Sequence, residues 1–281
     1  MHQICLTCKK LKDFKKISTK TKKANWKLKM GMHTIFPNDE IPDLNNIKLF
    51  TPKNASIIKQ IKLDKKNANN IILYYASDLE TNCSKIPNAK KSYNDFKNKG
   101  IAKADNNGNV TIKLNCPNIY KEEGKSYYPH VHFIIGNYKT KQWESNLYTQ
   151  IIVCDLTKKE MKNIIDNDCS LIINALPFKY FINNIIPKSI SLPYNELDNL
   201  TDKQIKEYLK NNISNYLRLH KNFSLKKIDL LDIPIITYCY DKNCNASEKL
   251  IKRLMNIGFK NIKEYSAGII GWNRKHALSL K

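Results

Sequence analysis

The chain has 281 residues, 42% of them hydrophobic, with 48 Lys and Arg against 25 Asp and Glu, a formal net charge of +23. That length supports two domains with separate cores, and the apolar content excludes disorder for most of the chain. No apolar run approaches a membrane span and the opening MHQICLTCKKLKDFKK carries no apolar leader, so the expectation is a soluble, cytoplasmic protein with no membrane partner.

Eight cysteines without a leader favour free thiols, metal ligation or redox chemistry over a disulfide framework. Arg218, Arg253 and Arg274 are the only arginines, so lysine supplies nearly all the positive charge. Bidentate reading of phosphates and bases uses arginine. The charge therefore reads as a solvated lysine surface, or as non-specific, salt-sensitive attraction to nucleic acid, which would suit packaging in a virus particle.

Residues 1–30 form a lysine-rich arm, expected to be flexible. Within it Cys5-Leu-Thr-Cys8 is half of a zinc site and needs two further ligands. Residues 31–155 carry strand patterns: 71-IILYYA-76, 109-NVTIKLNC-116, 131-VHFIIG-136 and 147-LYTQIIVC-154, separated by turns such as 105-DNNGN-109. This predicts an all-β sandwich domain.

The texture changes for residues 156–281. Thr157 to Glu160 is a capping box opening a helix, 170-SLIINA-175 a strand, and Thr201 to Gln204 a second capping box opening a longer helix. A strand at 233–239, a helix over 246–257 stopped by Gly258 and a strand, 261-NIKEY-265, complete the alternation. Strands alternating with helices predict an α/β domain, a parallel sheet flanked by helices.

The loop 238-YCYDKNCN-245 leaves the second of these strands for the next helix. Asn245-Ala-Ser-Glu248 has the form of another capping box, which sets Cys244 just ahead of a helix N-terminus. Amides at such an end favour a thiolate. Tyr240, Asp241, Lys242, Asn243 and Asn245 would form an anion cradle around Cys239, with Cys244 as a resolving thiol. Read without wider context, the loop is equally a buried strand-end cysteine with an incidental neighbour.

The wider context is a resemblance. The strand ending in Tyr238-Cys239, the helix, 258-GFKNI-262 and Ala267-Gly268-Ile269-Ile270-Gly271-Trp272 resemble the C-terminal half of a rhodanese domain, and 177-PFKYFINNIIPKSISLPYNEL-197 resembles its entry motif. The likeness spans residues 157–275. It implies the rhodanese α/β fold, transfer of sulfane sulfur through a persulfide on Cys239, and a sulfur donor, acceptor or thiol protein as partner. Asn174-Ala-Leu176 stands where the family has Asp-x-Arg, and Ile185 where it has His. The alternative expectation is accordingly a binding scaffold that keeps the fold without the activity.

A second pattern lies in 129-PHVHF-133. His130 and His132 leave a strand on one side, either half of a metal site or histidines satisfied in a core. Residues 100–120 with 129–133 resemble intradiol ring-cleavage dioxygenases, a likeness that spans about 60–135 and implies a dioxygenase-like or transthyretin-like β-sandwich. That resemblance implies non-haem iron held by His130, His132, Tyr120 and Tyr93, and an oxygenase activity.

Overall fold

The computed structural model describes residues 43–78, 85–93, 96–144, 147–167, 170–181, 185–217 and 228–274. Cys5, Cys8 and the arm of residues 1–30 lie outside them. The chain divides into two compact units that change over between Ile152 and Val153.

The first unit holds strands β1 (Ile57–Lys62), β2 (Ile71–Ala76), β3 (Lys99–Lys103), β4 (Asn109–Leu114), β5 (Tyr120–Glu122), β6 (Lys125–Tyr127), β7 (His130–Asn137), β8 (Gln142–Trp143) and β9 (Tyr148–Ile151), with a short helix α1 (Ala89–Tyr93) between β2 and β3. All pairings among them are antiparallel. The main sheet runs β3-β2-β7, with β8 and β9 both on β7. β1 pairs β4, and β5 pairs β6.

Burial explains the order. Every residue of β2 and all of β7 but Asn137 are buried, as expected of inner strands covered on both faces, whereas β4 alternates buried with exposed or half-buried positions. The turn before β4 closes because the Asp105 carboxylate accepts the Asn107 and Asn109 amides, each at 2.8 Å, while Gly108 takes φ 78°. Tyr75, Tyr93, Phe96, Tyr120 and Tyr127 fill the core beside Ile71 and Leu73.

The second unit runs α2 (Lys158–Asn167), β10 (Leu171–Asn174), α3 (Phe178–Phe181), β11 (Ser189–Ser191), α4 (Asp202–Leu217), β12 (Ile235–Tyr238), α5 (Ala246–Ile257), β13 (Ile262–Tyr265) and α6 (Gly268–Asn273). The strands make a parallel sheet in the order β11-β10-β12-β13. Both capping boxes ahead of α2 and α4 form as the sequence predicts. Thr157 Oγ1 accepts the Glu160 amide at 3.2 Å and the Glu160 carboxylate accepts the Thr157 amide at 2.7 Å; Thr201 and Gln204 repeat the exchange. α5 buries Leu250, Ile251, Leu254 and Ile257 on one face. It stops at Gly258, whose φ of 110° turns its amide onto the Leu254 and Met255 carbonyls.

Two expectations are corrected. The box expected at Asn245 does not form: Asn245 makes no side-chain cap bond, and the Glu248 carboxylate pairs with Lys252 at 2.7 Å. Cys116 and Cys154 each take part in a disulfide, where the cysteine reading favoured free thiols; Cys239 and Cys244 are free. Among the described residues no helix is long and apolar enough to cross a membrane.

Candidate functional sites

Cys239 follows the last residue of β12, and its exit path is fixed from two sides. Tyr238 is anchored through its hydroxyl, which accepts the Ile186 amide at 3.0 Å and pairs with Ser189 Oγ at 2.7 Å. The first turn of α6 holds the backbone beyond it: Ile269 and Ile270 donate their amides to the Cys239 and Tyr240 carbonyls at 3.1 and 3.0 Å. This approach requires glycine at 268. Its φ is 57°, and a Cβ there would lie 2.5 Å from both carbonyl oxygens.

The loop then folds around Asp241 and not around the sulfur. The Asp241 carboxylate accepts the Asn243 amide at 2.9 Å and the Cys244 amide at 3.2 Å, so two amides expected to face Cys239 are already engaged. Cys239 Sγ contacts the Cys244 carbonyl at 3.2 Å and the Asp241 carbonyl at 3.7 Å, an arrangement in which the thiol donates. Only 1% of Cys239 is exposed, while Cys244 is half-buried. Burial, reinforced by a hydrogen bond with the Cys244 thiol, pushes the Cys239 thiol up to about 12, although the Ser247 amide and hydroxyl oppose the shift. The expected low-pKa thiolate is thus a protonated thiol in this conformation. Tyr240, Lys242, Asn243 and Asn245 are exposed and leave the sulfur to Asp241, Cys244 and Ser247.

The other candidate residues come together in the first unit. Tyr93 ends α1, Tyr120 opens β5, and His130 and His132 occupy one face of β7; all four are buried. Tyr93 Oη lies 3.3 Å from both Tyr120 Oη and His130 Nε2, Tyr120 Oη lies 3.2 Å from His130 Nε2, and the two histidine Nε2 atoms are 3.0 Å apart. Burial raises both phenols and lowers both imidazoles, His130 to about 4 and His132 well below its usual value.

The tautomer of His130 follows from its other nitrogen. His130 Nδ1 is 2.5 Å from the Tyr128 carbonyl, which can only accept, so Nδ1 carries the proton and Nε2 presents a lone pair. His132 Nδ1 is 2.9 Å from Thr149 Oγ1, and His132 also bonds to the Tyr148 backbone. Thr149 Oγ1 can donate or accept, so His132 Nε2 either donates to His130 Nε2 at 3.0 Å or presents a second lone pair that a shared cation would relieve. Two neutral imidazoles and two phenols are a donor set that fits a hard transition-metal ion such as ferric iron. Among the described residues no three His, Cys, Asp or Glu side chains gather, so the phenols decide whether this cluster can hold a metal.

The comparisons with known proteins bear on the second unit. Residues 157–275 match the family model described as Rhodanese-like domain. This part of the chain is a rhodanese-like domain. The chain is similar to a Bacillus halodurans protein (21% identity, 42% of this chain and 70% of that one, TM-score 0.30), to a human single-domain sulfurtransferase (11%, 43% and 96%, 0.31) and to a Saccharomyces cerevisiae single-domain sulfurtransferase (17%, 44% and 92%, 0.31). No curated protein matches the chain. In the rhodanese-like domain, Asn174 turns its carboxamide oxygen onto the Leu176 amide at 2.8 Å, a local backbone contact at the position where the family has Asp-x-Arg.

Sequence reasoning named both cysteines and all four phenol and imidazole donors. It missed Asp241 as the organiser of the loop, Ser247 beside the sulfur, and Gly268 as the clamp.

Proposed function

We propose that the rhodanese-like domain carries out thiol–disulfide or sulfane-sulfur exchange through Cys239 and Cys244. The observation that carries this reading is the contact of two free thiols five residues apart, one buried and one half-buried, at the end of a parallel strand. Access divides the labour. Cys244, the more open thiol, loses its proton to solvent and attacks one sulfur of an incoming disulfide or the terminal sulfur of a sulfane donor; the rest of the donor leaves as a thiolate or sulfite with the electron pair of the broken S–S bond. Cys239 then gives up its proton and attacks Cys244 Sγ. The bound sulfur departs as a thiolate or hydrosulfide, and the two cysteines are left oxidised by two electrons as a disulfide. A thiol partner reverses the sequence.

Intact mass spectrometry of the parent, Cys239→Ser and Cys244→Ser after brief exposure to diamide or thiosulfate tests this. The parent is expected to lose two protons, and Cys239→Ser to retain an adduct that the parent resolves. A parent with both thiols unchanged would sink the reading.

A second reading is favoured by the convergence of Tyr93, Tyr120, His130 and His132: a non-haem ferric centre in the first unit. These four residues would hold the ion, which when bound supplies Lewis-acid and one-electron chemistry for oxygenation of a small oxygen-bearing substrate. The chain's own part is to present unprotonated Nε2 atoms, keep the imidazoles oriented through Tyr128 and Thr149, and exclude water from the donors. Metal analysis after ferric loading tests it. One tightly bound iron that is lost in His132→Ala supports the centre, and an iron-free parent refutes it.

A further inference from the structure

Tyr75 of β2 stands directly opposite His132 of β7, so the two side chains leave the sheet on the same face. Its ring centroid is 5.1 Å from that of His132, 5.9 Å from Tyr93 and 5.3 Å from Phe96. The residue is 0% exposed and its hydroxyl has no hydrogen-bond partner. The phenols around it differ. Tyr93 and Tyr120 bond each other and His130, and Tyr74, the preceding residue of β2, donates to the Lys113 carbonyl at 2.7 Å. Buried hydroxyls are nearly always paired, and one left alone beside a cluster of metal-type donors points to a counterpart the polypeptide does not supply.

We propose that Tyr75 is a fifth donor of the metal centre, binding through its phenol oxygen the same trivalent cation as Tyr93, Tyr120, His130 and His132. The inference rests on the metal reading given above. Charge balance supports it. Two phenolates and two neutral imidazoles leave a trivalent ion with uncompensated positive charge among donors no more than 5% exposed, and a third phenolate removes that charge. Glu122 is the carboxylate whose charge acts on Tyr93 and Tyr120, and it is itself half-exposed and screened by solvent. On binding, each phenol's O–H bond breaks and an oxygen–metal bond forms; the protons pass to solvent and no electron is transferred.

The test loads the full-length parent, Tyr75→Phe and Tyr93→Phe with ferric nitrilotriacetate, removes excess chelate, and reads bound iron and the visible phenolate-to-iron absorption. The expected result is one iron in the parent, with absorption per iron lower by about a third in Tyr75→Phe and by a similar fraction in Tyr93→Phe. Without metal, Tyr75→Phe is expected to melt no lower than the parent, because it deletes only an unpaired hydroxyl. A measurement on the parent alone guards against a variant that does not fold: the acid released on loading, corrected for the chelate, should be about three protons per iron. Unchanged absorption per iron in Tyr75→Phe, or release of about two protons, would overturn the assignment of Tyr75 and leave the four-donor centre standing. A parent that takes up no iron would overturn the centre, and this inference with it.

Discussion

The two candidate sites satisfy their polar groups in opposite ways. In the Cys239 loop the backbone answers itself, although Thr237 Oγ1 in the strand before it has no partner. Asp241 takes the loop amides, the carbonyls of Cys239 and Tyr240 take the amides of α6, and the thiol contacts the loop's own carbonyls. In the phenol–imidazole cluster the side chains converge on one another, two imidazole Nε2 atoms meet at 3.0 Å, and the buried Tyr75 hydroxyl nearby has no partner. A self-satisfied loop guards a thiol until something opens it, whereas converging donors invite a ligand. On the functions proposed above, the second unit would be a site gated by conformation and oxidation, and the first a site completed by an ion.

The largest effect that would break this contrast is at His132. His132→Ala removes a donor from the cluster and should weaken ferric binding by more than about 100-fold, measured by competition with a chelator. Unchanged affinity would mean that the convergence is only packing.

Gly268→Ala comes next. It places a Cβ against two carbonyl oxygens at a positive φ, and should cost about 2–4 kcal/mol in urea denaturation followed by a probe in the rhodanese-like domain. A loss below about 0.5 kcal/mol would show that the clamp on the cysteine loop is loose.

Asp241→Ala sharpens the contrast. It frees the Asn243 and Cys244 amides to turn toward the sulfur, so the Cys239 thiol should become more acidic and its alkylation at about pH 8 should accelerate by about tenfold, for roughly 1 kcal/mol of lost stability. In the parent the sign of the pH dependence follows from the raised thiol. Cys239 is protonated at neutral pH, and its alkylation rate should climb as pH rises toward about 12. Because the folded pKa exceeds the unfolded one, stability is full below the unfolded value near 9 and falls as pH rises from there toward 12.

The smallest expected effect is at Asn245. Asn245→Ala should change stability by less than about 0.5 kcal/mol, since no cap bond exists to lose. Thr201→Ala, by contrast, should cost about 1 kcal/mol.

These helix starts show what was legible in the sequence and why. Thr157–Glu160 and Thr201–Gln204 are local patterns with local solutions, and each formed as predicted. Asn245–Glu248 has the same form, but Asn245 takes φ −93° and ψ 7°, outside the extended backbone of a capping residue, and the Glu248 carboxylate pairs with Lys252 at 2.7 Å. Alternation located β4, and the apolar runs located β2 and β7. The short strands β5 and β6 and the five-residue helix α1 carry too few residues for either period to register. Both histidines were legible because strand alternation puts residues two apart on one face. Tyr93 and Tyr120 were reached through a family resemblance, since their approach depends on tertiary packing. Tyr75 was hidden because an aromatic in a buried strand looks like core. The cradle at Cys239 was overread: spacing supplied enough loop amides, but the Asp241 side chain competes for them.

The central claim is the working pair in the rhodanese-like domain, and peptide mass spectrometry tests it most directly. The full-length protein would be equilibrated in glutathione buffers of graded oxidation, quenched with acid and alkylated. The account predicts that Cys239 and Cys244 lose their reactive thiols together, in one two-electron step, and appear in a single peptide lighter by two protons. A persulfide or glutathione adduct that accumulates on Cys239 while Cys244 remains fully alkylated would contradict it.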